Sequence, residues 1–81
     1  MKRIVVNPKV MVGKPVIRGT RVTVEAIMHR VAEGMTFDEI VEDYPYITKE
    51  DIKSALLYAE SLVAGEDVFP AIVNDENAVS N

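Results

Sequence analysis

Eighty-one residues with 48% apolar content make a single globular domain, near the lower limit of what one core supports unaided. The absence of cysteine excludes a disulfide framework and a thiolate metal site, and no run approaches the roughly 18 apolar residues of a membrane span. A formal net charge of −4 argues against nonspecific coating of nucleic acid, yet it hides a division. From Met1 to Arg30 seven cations face one carboxylate, Glu25, whereas from Val31 onward twelve carboxylates face only Lys49 and Lys53. Such segregation suits a basic surface for an anionic partner and an acidic surface for a basic one, or head-to-tail packing between subunits.

Ile4-Val5-Val6 reads as a short strand stopped by Asn7-Pro8, a break that also makes the N-terminus unlike a signal peptide. A soluble cytoplasmic protein is therefore expected. Val10-Met11-Val12 and Val16-Ile17-Arg18 read as two further extended pieces, so a hairpin or three-stranded ribbon is predicted. Between and after them, Gly13-Lys14-Pro15 and Arg18-Gly19-Thr20-Arg21 exclude a long helix, because proline lacks an amide donor and glycine is a poor helix former. The segment aims Lys14, Arg18 and Arg21 outward, either as a binding element or as ordinary solvated charges.

Three helices with one repeated grammar follow. Thr23, Thr36 and Thr48 are each placed as an N-cap, with an apolar residue just before and a second four positions after the cap. The staple pairs are Val22 with Ile27, Met35 with Ile40, and Ile47 with Ile52. Glu39 completes a capping box with Thr36, and Asp51 a shorter version with Thr48. The first helix should run from Val24 to Glu33, stopped by Gly34, with Val24, Ile27, Met28 and Val31 buried. The second should run from Phe37 to Asp43, broken by Pro45. The third, Lys49 to about Ala64, carries the stripe Ile52, Ala55, Leu56, Ala59, Leu62 and Val63, with Leu57 and Tyr58 as extra apolar surface. That excess and the small size predict a homodimer.

The run Gly13-Lys14-Pro15, Arg18-Gly19-Thr20-Arg21, Gly34-Met35-Thr36, Tyr44-Pro45 and Ile52-Lys53-Ser54-Ala55-Leu56 resembles a prokaryotic family, domain of unknown function four-three-three. The resemblance covers about Ile4 to Ala64. It implies an antitoxin with a homeodomain-like helix-turn-helix, encoded beside a PIN-like ribonuclease toxin, which represses its own operon and neutralises that toxin. The expected architecture is mainly α: a small N-terminal β-ribbon and a three-helix homeodomain-like core over residues 1–65, then a partner-binding or disordered tail over 66–81.

On this reading the candidate operator-DNA contacts are Lys14, Arg18 and Arg21 of the ribbon and Lys49 and Lys53 at the start of the third helix. Glu50 beside them makes the third helix a weak recognition helix by composition. The tail residues Val68, Phe69, Ile72 and Val73 either fold back or dock on a toxin. No catalytic motif is present: His29 stands alone, and Asp38, Glu39, Glu42 and Asp43 read as a solvated, dipole-matched face. Neither a cofactor, a metal nor a small-molecule substrate is implied. The alternative is a protein-interaction adaptor with the same helices and no DNA activity.

Overall fold

The computed structural model describes residues 3–65 and 70–73. In chain order they form β1 (Ile4–Val6), a 3-10 turn (Met11–Gly13), β2 (Val16–Ile17), α1 (Val24–Ala32), α2 (Phe37–Asp43), α3 (Lys49–Val63) and β3 (Ala71–Ile72). The chain is mainly helical, with a small mixed sheet beside three helices. The sheet order is β2-β1-β3: β1 runs antiparallel to β2, pairing Ile4 with Ile17, and parallel to β3, pairing Val5 with Ala71.

Each helix starts where its threonine can satisfy an otherwise orphaned amide. Thr23 Oγ1 accepts from the Ala26 N–H at 2.9 Å. Thr36 accepts from the Glu39 N–H, and the Glu39 carboxylate accepts in return from the Thr36 N–H at 2.8 Å. Thr48 and Asp51 make the same reciprocal pair at 3.1 and 3.0 Å. A cap of this kind is worth about 1 kcal/mol, so the three together fix the helix boundaries in a domain with little stability to spare. Beneath the caps lies one core, in which Val22, Ile27, Ile40, Ile47 and Ile52 from the staple pairs are joined by Ile4, Ile17, Val24, Ala55 and Tyr58. Burying a branched aliphatic side chain contributes roughly 1.5–3 kcal/mol, which makes these isoleucines the main cohesive element.

Three expectations need correction. Val10-Met11-Val12 is no strand: Met11 and Val12 take left-handed backbone, with φ of 50° and 55°, and the chain coils through a single turn. The third strand comes instead from Ala71–Ile72, so the tail is folded back along β1 at that point, and the Val73 N–H donates to the Val6 carbonyl at 2.7 Å. Finally, α3 is rotated relative to the anticipated stripe. Asp51, Ile52, Ala55, Tyr58 and Ser61 are buried, while Leu62 is 53% and Val63 87% exposed. Tyr58 brings a large ring into the core and Asp51 is drawn in by its cap, and together they turn the helix that way. Met28 of α1 likewise lies at the edge of the core rather than in it. Val68 and Phe69 lie outside the described residues.

Candidate functional site

The basic half of the chain is not one patch. Lys14 and Arg18 bracket β2, separated by about 13 Å of extended chain. At one end Lys14 Nζ pairs with Glu25 Oε1 in the first turn of α1 at 2.8 Å, both side chains being exposed. This partner, through its hydrogen bond, holds Glu25 below the usual carboxylate range. At the other end, Arg18 and Arg21 occupy the turn leaving β2. That turn is braced by Thr20, whose hydroxyl donates to the Ile17 carbonyl at 2.8 Å and accepts from the Val22 N–H at 3.0 Å. Gly19 provides the positive φ of 78° that the reversal needs. Both arginines are exposed.

The Arg18 N–H donates to the Arg3 carbonyl at 2.8 Å, which sets the turn against the start of β1. Arg3 in turn reaches across to α3: its Nε donates to Asp51 Oδ1 at 2.7 Å. Burial alone would push the Asp51 carboxyl up, but the Arg3 guanidinium and the Thr48 N–H outweigh it and hold the group below its ordinary value. The hydrogen bond to Asp51 raises Arg3 in return, so the pair is ionised at neutral pH. About half of the Arg3 side chain remains open to water. Arg3 thus joins the arginine turn to the first turn of α3, where Lys49 pairs with Asp38 of α2 at 2.6 Å and Lys53 is exposed one turn further on.

Four of the five expected DNA contacts, Arg18, Arg21, Lys49 and Lys53, therefore stand on elements that Arg3 and Asp51 hold together, and Lys14 stands apart. Arg3 had no motif to announce it, because its partner lies 48 positions away in sequence. An arginine guanidinium can grip phosphate oxygens or read a guanine edge. At this end of the molecule Lys49 pairs with Asp38, and Glu50, Arg18 and Arg21 are exposed. Arg30, counted with the basic half in sequence, serves the fold instead. Its guanidinium lies 4.6 Å from the Tyr44 ring centre, donates to the Tyr44 hydroxyl at 3.1 Å and pairs with Asp43.

A second feature lies along the opposite half of α3. Between α1, α3 and the Lys14-Pro15 segment runs an open groove of about 590 Å³. Its floor is apolar, formed by Val24, Met28, Ala32, Ala59, Leu62 and Val63. Asp51 sits in the first turn of α3 and Leu62 in the last, about 16 Å apart along the helix axis, so groove and arginine turn are distinct surfaces. In the tail, Ile72 points largely to solvent while its backbone is bound to β1. Among the described residues no three histidine, aspartate or glutamate side chains gather closely enough to hold a metal ion, and no helix is long and apolar enough to cross a membrane.

Comparison with curated proteins gives two relatives of different extent. The uncharacterized protein y4eO of Sinorhizobium fredii is 38% identical over 55 residues, which is 68% of this chain but 25% of the relative. The chain thus spans a quarter of that longer protein. An uncharacterized protein of Archaeoglobus fulgidus is 69% identical over 26 residues, 32% of this chain and 72% of its own length. No solved structure matches significantly. The family model described as "protein of unknown function (DUF433)" matches residues 4–59, from β1 to the core-facing turns of α3, and the chain belongs to that family.

Proposed function

We propose that this protein is a DNA-binding, antitoxin-like regulator that acts as a homodimer, contacts its operator through the arginine turn and the start of α3, and neutralises a PIN-like ribonuclease toxin. The observation that carries the DNA reading is the brace from the Arg18 N–H to the Arg3 carbonyl and from Arg3 Nε to Asp51, which ties the turn bearing exposed Arg18 and Arg21 to the N-terminal turn of α3. A helix-turn-helix brings side chains at the start of its second helix to a major groove, and the order of α2 and α3 along the chain supports that reading. Arg18, Arg21 and Arg3 would take phosphate or a guanine edge, and Lys53 a neighbouring phosphate. Toxin neutralisation follows from the family resemblance, not from this geometry. The test is fluorescence anisotropy with a duplex from the protein's own promoter. Binding should exceed that of a scrambled duplex and fall when Arg18→Ala and Arg21→Ala are combined. Equal, weak binding to both duplexes would exclude an operator.

The apolar groove favours a second reading, that of an adaptor whose partners are proteins alone. Growth rescue separates the two: a protein that neutralises the cognate toxin while ignoring promoter DNA would be the adaptor.

A further inference from the structure

Arg3 is held at both ends and still faces water. Its carbonyl accepts from the Arg18 N–H at 2.8 Å, and its Nε donates to Asp51 Oδ1 at 2.7 Å. Even so, 48% of the side chain is exposed. An exposed arginine ordinarily moves among many rotamers and loses that freedom when it binds. The bond to Asp51 restricts the side chain before any partner arrives. A fixed yet accessible guanidinium is prepared for directional recognition.

Capping alone does not account for this arrangement. The box that starts α2 makes the same reciprocal bonds with Glu39, whose side chain is exposed. In α3 the capping carboxylate is buried, with Asp51 only 3% exposed, and its two oxygens are divided. Oδ2 accepts from the Thr48 N–H at 3.0 Å, and Oδ1 accepts from Arg3. A brace built for strength would give both oxygens to the guanidinium, in the bidentate pairing those groups favour. Here the bond is made by Nε, and it does not consume the end-on fork of Nη1 and Nη2.

We infer that Arg3 reads a guanine edge in the major groove, with Asp51 as the positioning residue that aims it. Asp51 is the third residue of α3, in the turn that a helix-turn-helix directs to the bases. A carboxylate there repels phosphate, and the guanidinium it holds replaces it as the group presented. The ion pair carries no net charge, so it adds little to the attraction for phosphate, which depends on neutralising charge. What it offers is the direction of its N–H donors. Nη1 and Nη2 donate to O6 and N7 of guanine, the pair of acceptors that distinguishes this base. This role rests on the DNA binding proposed above, and it leaves phosphate contacts to Arg18 and Arg21.

The test uses the full chain and a duplex from its own promoter, in which single guanines are replaced by a deaza analogue lacking N7. At one position the replacement should weaken wild-type binding about fivefold or more. Arg3→Met combined with Asp51→Asn keeps the net charge, and this double variant should bind more weakly but be indifferent to that replacement. Arg3→Lys keeps the charge and the reach to Asp51 without the fork, so it should show the same indifference, even if the double variant fails to fold. Asp51→Asn alone should reduce the effect of the replacement, and an undiminished effect would refute positioning by Asp51. A wild-type protein with no preference for promoter over scrambled duplex overturns the DNA reading and this role with it. Promoter preference in which no guanine distinguishes wild type from both Arg3 variants overturns the Arg3 assignment alone. So does a difference that appears only when one phosphate is made a neutral methylphosphonate, which would make Arg3 a phosphate contact.

Discussion

Replacing Asp51 by asparagine isolates the link on which the arginine surface depends. The side chain is nearly isosteric, and its amide oxygen can still accept from the Thr48 N–H, so the cap of α3 survives. What goes is the ionic bond from Arg3 Nε, 2.7 Å long. A hydrogen bond to a charged group contributes about 1.5–3 kcal/mol. Water already solvates about half of the Arg3 side chain, which reduces the loss to about 1 kcal/mol. For a domain of this size that is a fall of about 5 °C in Tm, measurable by circular dichroism or urea titration at pH 7. The pH dependence gives a stricter check. Asp51 is held below its ordinary value in the folded state. Its contribution is therefore present above the unfolded aspartate value of about 3.9 and is lost as pH falls through the lower, folded value. The gap between wild type and Asp51→Asn should be full at pH 7 and should narrow towards pH 3. Equal stability at pH 7, or a gap that does not narrow on acidification, would refute the linkage.

Two further outcomes follow from the same geometry. Gly19→Ala places a Cβ in open space, so its cost is backbone strain alone, roughly 1–2 kcal/mol in urea titration; promoter affinity should fall by more than the small rise in unfolded fraction explains. Truncation after Gly65 removes β3 and its bond to Val6, and should lower stability by roughly 1–2 kcal/mol. An unchanged Tm combined with failed toxin neutralisation would instead make the tail a toxin ligand.

Local grammar was legible in the sequence and relative orientation was not. The threonine caps, the staples and the Gly34 stop are decided by residues within five positions of one another, so reading them needs no knowledge of the tertiary structure. The rotation of α3 depends on Tyr58 and Asp51 meeting other elements, and periodicity alone placed Leu62 and Val63 inside where they are exposed. Val10-Met11-Val12 misled because three apolar residues fit a strand, whereas their backbone is coiled between Asn7 and Pro15. Of the candidate site, exposure of Arg18 and Arg21 was foreseeable from the Gly-Thr turn between them. Their link to α3 was not, because it passes through Arg3 and a partner 48 residues away. Lys14 was grouped with them because it is near in sequence, yet β2 separates it from them in space.

The measurement that bears most directly on the proposed DNA site is the salt dependence of promoter affinity. Anisotropy titrations between about 50 and 200 mM salt give the slope of log K against log salt, and each phosphate contact contributes about −0.9 to it. Combining Arg18→Ala with Arg21→Ala should weaken binding and make the slope shallower by about 1.8 for each chain that contacts the duplex. An unaltered slope, with affinity lost instead on Lys49→Ala and Lys53→Ala, would move the contact to α3 and contradict the assignment.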